Sequence, residues 1–557
     1  MKNLKKTLSL LLAILMVAGM FVGCGGPGSN GTEPIITAPA DPTKPYDETV
    51  KLTSFFEIAA PILSSFDPQQ LQEYELLKAM KAATNIEIEY LWYAADTAED
   101  AETKKNNAIA TGDIPDFMVV SSAQLALLAK SDLINKNIGQ YFDAYASDLL
   151  KAWTTAEGTA AMDSATYGGK IIAIPLVDSS IDASSFLWIR KDWLDNLGLK
   201  VPTTTDELYA VMKAFKENDP DGNGQNDTVG MALHKNFLST GTGDCEGLFN
   251  GFGSYPTSWV EDGNGGLQYG AVTQQSKAAL EFLAKAYKDG LIEEDFSVKD
   301  DGGTMELTAS GRAGIQYGAM WNAMWPLSMT LGNDPNADWI ACAIPGVNGI
   351  GNPGIAVRVT GYVVVSAECQ HPEAVVKLLN FWCDAFANSD EETYNSYLED
   401  YGSDIPQFPQ HHVMLKTWNP TKNLDAYYAV KDAIANNDTS KLNAEQMGYY
   451  NDVVSFMEGN LGAYGGAKTF APEGSAFEAM SKYYESNAFF MNKFTGAQTK
   501  TMAQKMSIVE DKVYEFYTKV IMGVASTDDF DAFVAELGNL GLTQITAEVN
   551  EWYASKK

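Results

Sequence analysis

The stretch "DPDGNGQNDTVG", residues 219–230, places Asp219, Asp221 and Asn223 at positions one, three and five of a twelve-residue loop. Gly224 stands at the tight turn, the Gln225 carbonyl at seven and Asp227 at nine. Oxygen donors at this spacing suit a hard cation such as calcium and begin an EF-hand pattern. Position twelve is Gly230, where that pattern needs a bidentate Glu. A polar Asp/Asn/Gly turn after a helix has the same composition. Two carboxylate pairs, Asp113/Asp116 and Glu293/Glu294, have the residue types a glycosidase uses, which must stand roughly 5–10 Å apart across one cleft. Capping or packing explains both pairs equally well. "GIGNPG" (349–354) formally matches GxGxxG, but Pro353 and a following strand-like run remove the helix N-terminus a phosphate would use, so it reads as a turn. The four histidines, His234, His371, His411 and His412, form no HExxH pattern, and no GxSxG or P-loop is present, so neither a zinc site nor a nucleophilic enzyme is indicated.

Such residues need elements to hold them, and the chain starts with a segment that is not one. "MKNLKKTLSLLLAILMVAGMFVGC" has a basic start (Lys2, Lys5, Lys6), an apolar run from Leu8 to Val22, and Gly23 directly before Cys24. That is an export signal. "FVGC" (21–24) resembles the lipobox of bacterial lipoproteins, with Phe21 where Leu is usual, which implies lipidation of Cys24. Residues 25–47 are rich in Gly, Pro, Ser and Thr and read as a flexible tether. About 510 residues follow, enough for a large core and more than one lobe. The formal charge is −33, or −36 without the three leader lysines, a balance that repels nucleic acid and anionic lipid. Cys245, Cys342, Cys369 and Cys383 show no CxxC spacing and read as small buried hydrophobes, with one disulfide left open.

From Thr49 onward, strand-like and helix-like segments alternate: "VKLTSFFEI", "QQLQEYELLKAMKAAT", "IEIEYLWY", "AEDAETKKNNAIATG" and "DFMVVS". This order predicts a parallel sheet with helices on its faces. "TTTDELYAVMKAFKEND" predicts a helix capped by Thr203 or Thr204, with Asp206 and Glu207 in its first turn. A second α/β region runs to about Pro345, "AVRVTGYVVVS" reads as another strand, and the last 130 residues read as mostly helical. Two α/β lobes, with the chain passing between them more than once, account for this order.

Several segments together resemble one family. They are "ATGDIPDF" (110–117), "YGGKIIAIP" (167–175), "LWIRKDWLDNLGLKVPTTTDELYAVMKAFKENDPDGNGQNDTVG" (187–230), "FGSYPTSW" (252–259), "LAKAYKDGLIEEDF" (283–296), "DPNADW" (334–339), "TGYVVVSAECQHPEAVVKLLNF" (360–381) and "VNEWY" (549–553). The 187–230 block is the most specific. The chain resembles the extracellular solute-binding lipoproteins of ABC carbohydrate importers, family 1, of the large oligosaccharide- and alginate-binding type. The resemblance implies a periplasmic-binding-protein-like class II fold, with two α/β lobes around a ligand cleft and a largely helical C-terminal part. The expected division is 48–180 for the first part of lobe 1, 181–355 for lobe 2, 356–420 for the return to lobe 1, and 421–557 for a helical region packing on both.

The resemblance implies a monomeric, lipid-anchored receptor on the extracellular face of the membrane, handing an oligosaccharide or sugar derivative to permease subunits, with no nucleic-acid partner. Two other readings remain open on the sequence: a surface carbohydrate-active enzyme, and a sugar sensor for a membrane kinase. It also implies a structural calcium ion held by Asp219, Asp221, Asn223, the Gln225 carbonyl, Asp227 and, at position ten in place of twelve, Thr228. Sugars present flat apolar faces and a hydroxyl rim, so aromatic platforms beside aimed polar groups are the expected contacts. The candidates are Trp92, Tyr93, Trp188, Arg190, Phe252, Trp259, Trp321, Asn322, Trp325, Arg358, Tyr362 and Trp418. Each also reads as an aromatic-core or packing residue.

Overall fold

A computed structural model describes residues 36–58, 74–95, 99–238, 241–398 and 413–557. Cys24 and the leader, His411 and His412 lie outside the described residues. The first sheet region begins with strand Val50–Ile58 paired in parallel with Ile86–Ala95, in register from Val50 opposite Ile86. The helix between them, Glu75–Thr84, buries Leu76, Leu77 and Met80 on one stripe, as the alternating strand–helix–strand pattern predicts. Beside this pair runs an antiparallel set in the order Phe117–Val120, Arg358–Val365, Ile174–Asp178. Thr53 joins the two sets, because both its N–H and its hydroxyl donate to Asp116 at 2.8 Å. Asp116 is thereby a packing residue and not half of a catalytic pair.

The second sheet has four strands, in the order Trp339–Cys342, Phe186–Arg190, Ile315–Gly318, Thr242–Asp244, and every pairing is antiparallel. Within these two sheet regions the expectation of a parallel sheet therefore holds only for the Val50–Ile58/Ile86–Ala95 pair. Partners of Phe186–Arg190 come from more than a hundred residues downstream and enter from the opposite end, an arrangement that local alternation cannot encode. All five residues of that strand are buried, giving the continuous apolar run of a strand covered on both faces. Period two divides them. Leu187 and Ile189 face a core completed by Val509, Val513, Tyr517 and Ile545, while Phe186 and Trp188 face one completed by Leu424, Tyr427, Phe470 and Phe477. The helices after residue 421 thus build both cores of the second sheet. On the side of the first sheet region, the last helix reaches across with Lys556, which pairs with Asp163 at 3.0 Å.

The end of the stretch read as a flexible tether is held in place. The Lys377 ammonium donates to the carbonyls of Pro42 (2.9 Å) and Lys44 (2.7 Å), and the Tyr46 hydroxyl donates to Glu373 at 2.7 Å. Cys245, Cys342, Cys369 and Cys383 are all free and buried, which closes the disulfide question. "GIGNPG" forms a hairpin, with Gly349–Ile350 paired to Pro345–Gly346, and no helix follows. Glu293 of the second acidic pair bonds Lys299 and lies 3.3 Å from Arg312. Among the described residues, no helix is long and apolar enough to cross a membrane.

Candidate functional site

The chain leaves the first sheet at Asp178, enters the second at Phe186, and returns through residues 354–358. Alongside that return runs Phe490–Met491, parallel to Gly354–Ile355. A cavity of about 710 Å³ opens at these crossings. Its wall combines Ser180, Arg358 and Val359, next to the first sheet, with Asp182, Leu238, Glu246, Thr257 and Trp321 of the second. A smaller recess of about 170 Å³ adjoins it, sharing Ala356, Val357, Val359 and Asn492, and adds Tyr362 and Phe494.

Two acids give the cavity its electrostatic character. Glu246 opens the short helix Glu246–Gly251 and is only 9% exposed, so burial pushes its carboxyl up to about 7; the Thr257 hydroxyl, donating at 3.2 Å, opposes the shift. Asp182 lies in the turn Ile181–Ala183, and burial likewise carries it up to about 7 against the pull of Lys422, Ser179 and the Asn423 amide, with repulsion from Asp178 adding to the rise. The Asp182 Oδ1 atom is buried without a hydrogen-bond partner. Behind Glu246, the wholly buried Asp244 is pushed well above the usual carboxylate range, by burial first and then by Glu246. Near neutrality such carboxyls both donate and accept, which matches the two-way hydrogen bonding of a sugar hydroxyl.

Of the twelve sequence candidates, the structure brings Trp321 and Arg358 to the main cavity and Tyr362 to its recess. Arg358 reaches in while paired to Asp178 at 3.2 Å, and the Tyr362 hydroxyl donates to Ser164 at 3.0 Å. Trp325, one turn beyond Trp321, is 48% exposed and faces outward. The others are taken up by packing. Trp188 is fully buried with its indole N–H on the Ala319 carbonyl, and Arg190 is buried between Asp192 and Asp334 with its guanidinium over Trp193. Asn322 is fully buried, accepting from Gln316 at 2.6 Å and donating to the Gly241 carbonyl at 3.1 Å. Trp259 packs on Tyr269 and Phe494, and Phe252 on Phe282. Trp92 stacks on Phe55 at 4.4 Å, Tyr93 meets Phe56 and Tyr90, and Trp418 stands edge-on to Trp382 and Phe386. Trp188, Arg190, Asn322 and Trp259 are buried, while Phe252, Trp92, Tyr93 and Trp418 are half-buried against their ring partners. Sequence reasoning missed Asp182, Glu246, Thr257 and Asn492; a lone acid in a short turn carries no periodic signal.

The 219–230 loop folds as a tight polar turn. Asp219 is left-handed (φ 48), and Gly222 and Gly224 supply further positive φ angles of 68 and 78. The Asp219 carboxylate accepts from the N–H groups of Asn223 (3.1 Å) and Gly224 (3.0 Å), and the Asn223 amide donates to Asp221 (2.8 Å) and Asp227 (3.3 Å). Asp221 is raised above the ordinary carboxylate value, first by burial, then by its bond to Asp219 and repulsion from Asp227 and Asp219. The crowding of these carboxylates, with oxygen donors alone, fits a hard cation in kind. Thr228 does not belong to the set. Its hydroxyl is buried and donates to the Phe215 carbonyl at 2.7 Å, and its own carbonyl accepts from Lys216 at 3.0 Å. Among the described residues, no three His, Cys, Asp or Glu side chains are grouped as a metal site.

The model of the bacterial extracellular solute-binding protein family matches residues 65–385 of this chain. The chain belongs to that family. Its polygalacturonan/rhamnogalacturonan-binding relative YtcQ, from Bacillus subtilis (strain 168), is 30% identical over 325 residues, 57% of each chain. The fructooligosaccharide ABC transporter substrate-binding protein FusA of Streptococcus pneumoniae is 30% identical over 258 residues, 44% of this chain and 46% of that one. The matches span about half the length of these curated relatives. Among solved structures, an HMO-binding, ABC-transporter-associated solute-binding protein from Bifidobacterium longum infantis gives a TM-score of 0.61 at 18% identity, covering 91% of this chain and 99% of that one. FusA in complex with kestose gives 0.58 at 19% identity, with 91% and 99% covered, and another FusA structure is of an EF-hand mutant. This family member therefore has the α/β, periplasmic-binding-protein-like class II fold, reached by superposition over nearly the whole described chain.

Proposed function

We propose that this solute-binding protein is the substrate receptor of an ABC transporter, which captures an oligosaccharide or sugar derivative in the cavity between its two sheets and hands it to the permease. The observation that carries the reading is the composition of that cavity's wall, to which both sheet regions contribute: Ser180, Arg358 and Val359 on one side, Asp182, Glu246, Thr257 and Trp321 on the other. A solute gripped by both sides stabilises a closed state over an open one by its differential contacts, which is how binding becomes a signal to a transporter. Trp321 offers a face for the apolar side of a pyranose ring, and the carboxyl, hydroxyl and Asn492 amide groups suit its rim. A volume of about 710 Å³ is within the usual range for a small-ligand site. The ligand classes named for YtcQ, FusA and the Bifidobacterium protein agree with a saccharide.

On this reading lobe 1 comprises 48–180 and 356–420, lobe 2 comprises 181–355, and 421–557 forms the helical region. The lipobox-like "FVGC" supports a lipid anchor at Cys24 on the outer face of the membrane, and the protein acts as a monomer that binds solute and turns nothing over. Calcium occupies the 219–230 loop, held by Asp219, Asp221, Asn223, Asp227 and the Gln225 carbonyl, and stiffens the connection after helix Thr205–Glu217. What supports this is the crowding of carboxylates around Asp221. A thermal-shift screen of neutral and acidic oligosaccharides, run with and without chelator, tests both parts. At least one glycan is expected to stabilise the protein without being cleaved, and chelator is expected to lower its melting temperature. A broad panel without any stabilising glycan contradicts the saccharide reading, and indifference to chelator contradicts the calcium site.

A further inference from the structure

A second hollow, of about 520 Å³, lies on the first sheet region and has a different charge. Among the described residues twelve line it, of which four are lysines, Lys130, Lys136, Lys170 and Lys500, and none is a carboxylate. That is unexpected in a chain with 39 Lys and Arg against 72 Asp and Glu. The lysines come from separate places: just past helix Ser122–Leu128, from the hairpin Thr166–Tyr167/Lys170–Ile171, and from the segment that precedes helix Met502–Ile521. Lys136 is partly spent, donating to the carbonyls of Leu128 (2.6 Å) and Ala129 (2.9 Å) at that helix's C-terminal end. The ammonium groups of Lys130 and Lys500 have no ion pair or hydrogen bond among the described residues. Gln498, also in the wall, holds a buried Oε1 atom without a partner.

The hollow neighbours the proposed solute site along the chain. Asn492 lines the interlobe cavity, Asn492, Phe494, Thr495 and Gly496 line the recess beside it, and Ala497, Gln498 and Lys500 line the hollow, so one stretch of chain borders all three. Ser164 and Tyr362 belong to the recess, and Thr166 and Tyr167 to the hollow. The polar lining changes in kind between the two, from the carboxyl groups of Asp182 and Glu246 to the lysines.

We propose that the lysine hollow is an anion subsite for one end of the ligand, so that the preferred solute is an oligosaccharide with an uncharged body in the interlobe cavity and a carboxylate or sulfate at the end that reaches the lysines. The proposal rests on the saccharide reading above. A chain of net charge −33 repels free anions at long range, and the attraction of a few lysines extends only about a Debye length of 8–10 Å. An anion is therefore held there best when contacts elsewhere deliver it, as the end of a bound saccharide. Arg358, the one cation among the described residues lining the interlobe cavity, is already paired with Asp178, so the lysine end is where the ligand's charge is met, and this fixes the direction in which such a ligand lies.

The test compares, by titration calorimetry, the neutral oligosaccharide that stabilises the protein most in the screen with the same oligosaccharide oxidised to carry one carboxylate at either end. One acidic form is expected to bind roughly ten- to a hundredfold more tightly than the neutral parent. The double substitution Lys130→Ala/Lys500→Ala is expected to remove that gain and leave the neutral parent within twofold. Sodium sulfate, matched to chloride in ionic strength, is expected to weaken the acidic form alone. Acidic forms that bind no better than the parent, or a double variant that weakens both equally, overturn the subsite and leave the receptor reading standing. Failure of every glycan, neutral and acidic, overturns the receptor reading itself.

Discussion

Replacing Glu246 by Gln gives a pH-dependent change whose sign follows from where the carboxyl sits. Burial raises its pKa from 4.5 to about 7, so between those values the folded chain holds a proton that the unfolded chain has released. The group's contribution to stability is fully present below about pH 4.5 and is lost as pH rises through 7. At 1.36 kcal/mol per unit, the shift corresponds to about 3 kcal/mol of stability lost between pH 4.5 and 8, as an upper bound. Gln keeps an oxygen for the Thr257 hydroxyl and carries no charge. The variant should therefore gain on the wild type as pH rises, by about 1–3 kcal/mol between pH 5 and pH 8, read from urea midpoints at the two values. Asp182, raised in the same direction, is present in both proteins and cancels in the difference. A stability difference equal at both pH values would refute the idea that a buried, protonated Glu246 lines the cavity.

Other outcomes follow from the same contacts. Trp188→Ala should cost about 3–5 kcal/mol of stability in a denaturant series, since it empties a fully buried site, and yet leave glycan affinity within about threefold by calorimetry. Saturating calcium should add about 2.7 kcal/mol at a concentration a hundred times its dissociation constant, and Asp221→Ala should abolish that gain in a calcium-dependent melting experiment. Thr228→Val should retain the calcium gain and lose about 1–3 kcal/mol, because the buried Phe215 carbonyl loses its donor; loss of the calcium effect in this variant would return Thr228 to the ligand set.

Local features were legible in the sequence and long-range ones were not. The helix at Thr205–Glu217 could be read because capping is a local bargain: Thr204 accepts from the Glu207 N–H at 3.2 Å while Glu207 accepts from the N–H groups of Thr203 and Thr204. The acidic loop was legible for the same reason, except that Thr228 belongs to the core that begins there. Period two sets Phe186 and Trp188 on one strand face, but that face is covered by helices some 240 to 290 residues further on, which no local pattern announces. Trp321 stood out because it lies in a Gly/Met/Asn-rich stretch without helical period, and it does reach the cavity. Asp182 and Glu246 were invisible because their environment is supplied by partners such as Asn423 and Thr257, and the lysine hollow because its members are scattered from 130 to 500.

The central claim, that the cavity between the sheets is where a saccharide binds, is tested most directly by titrating the best glycan from the screen into the wild type and into Trp321→Ala side by side. The account predicts one site per chain in the wild type and an affinity at least about thirtyfold lower in the variant, with unchanged unfolding behaviour. Equal affinity in the two proteins would contradict it.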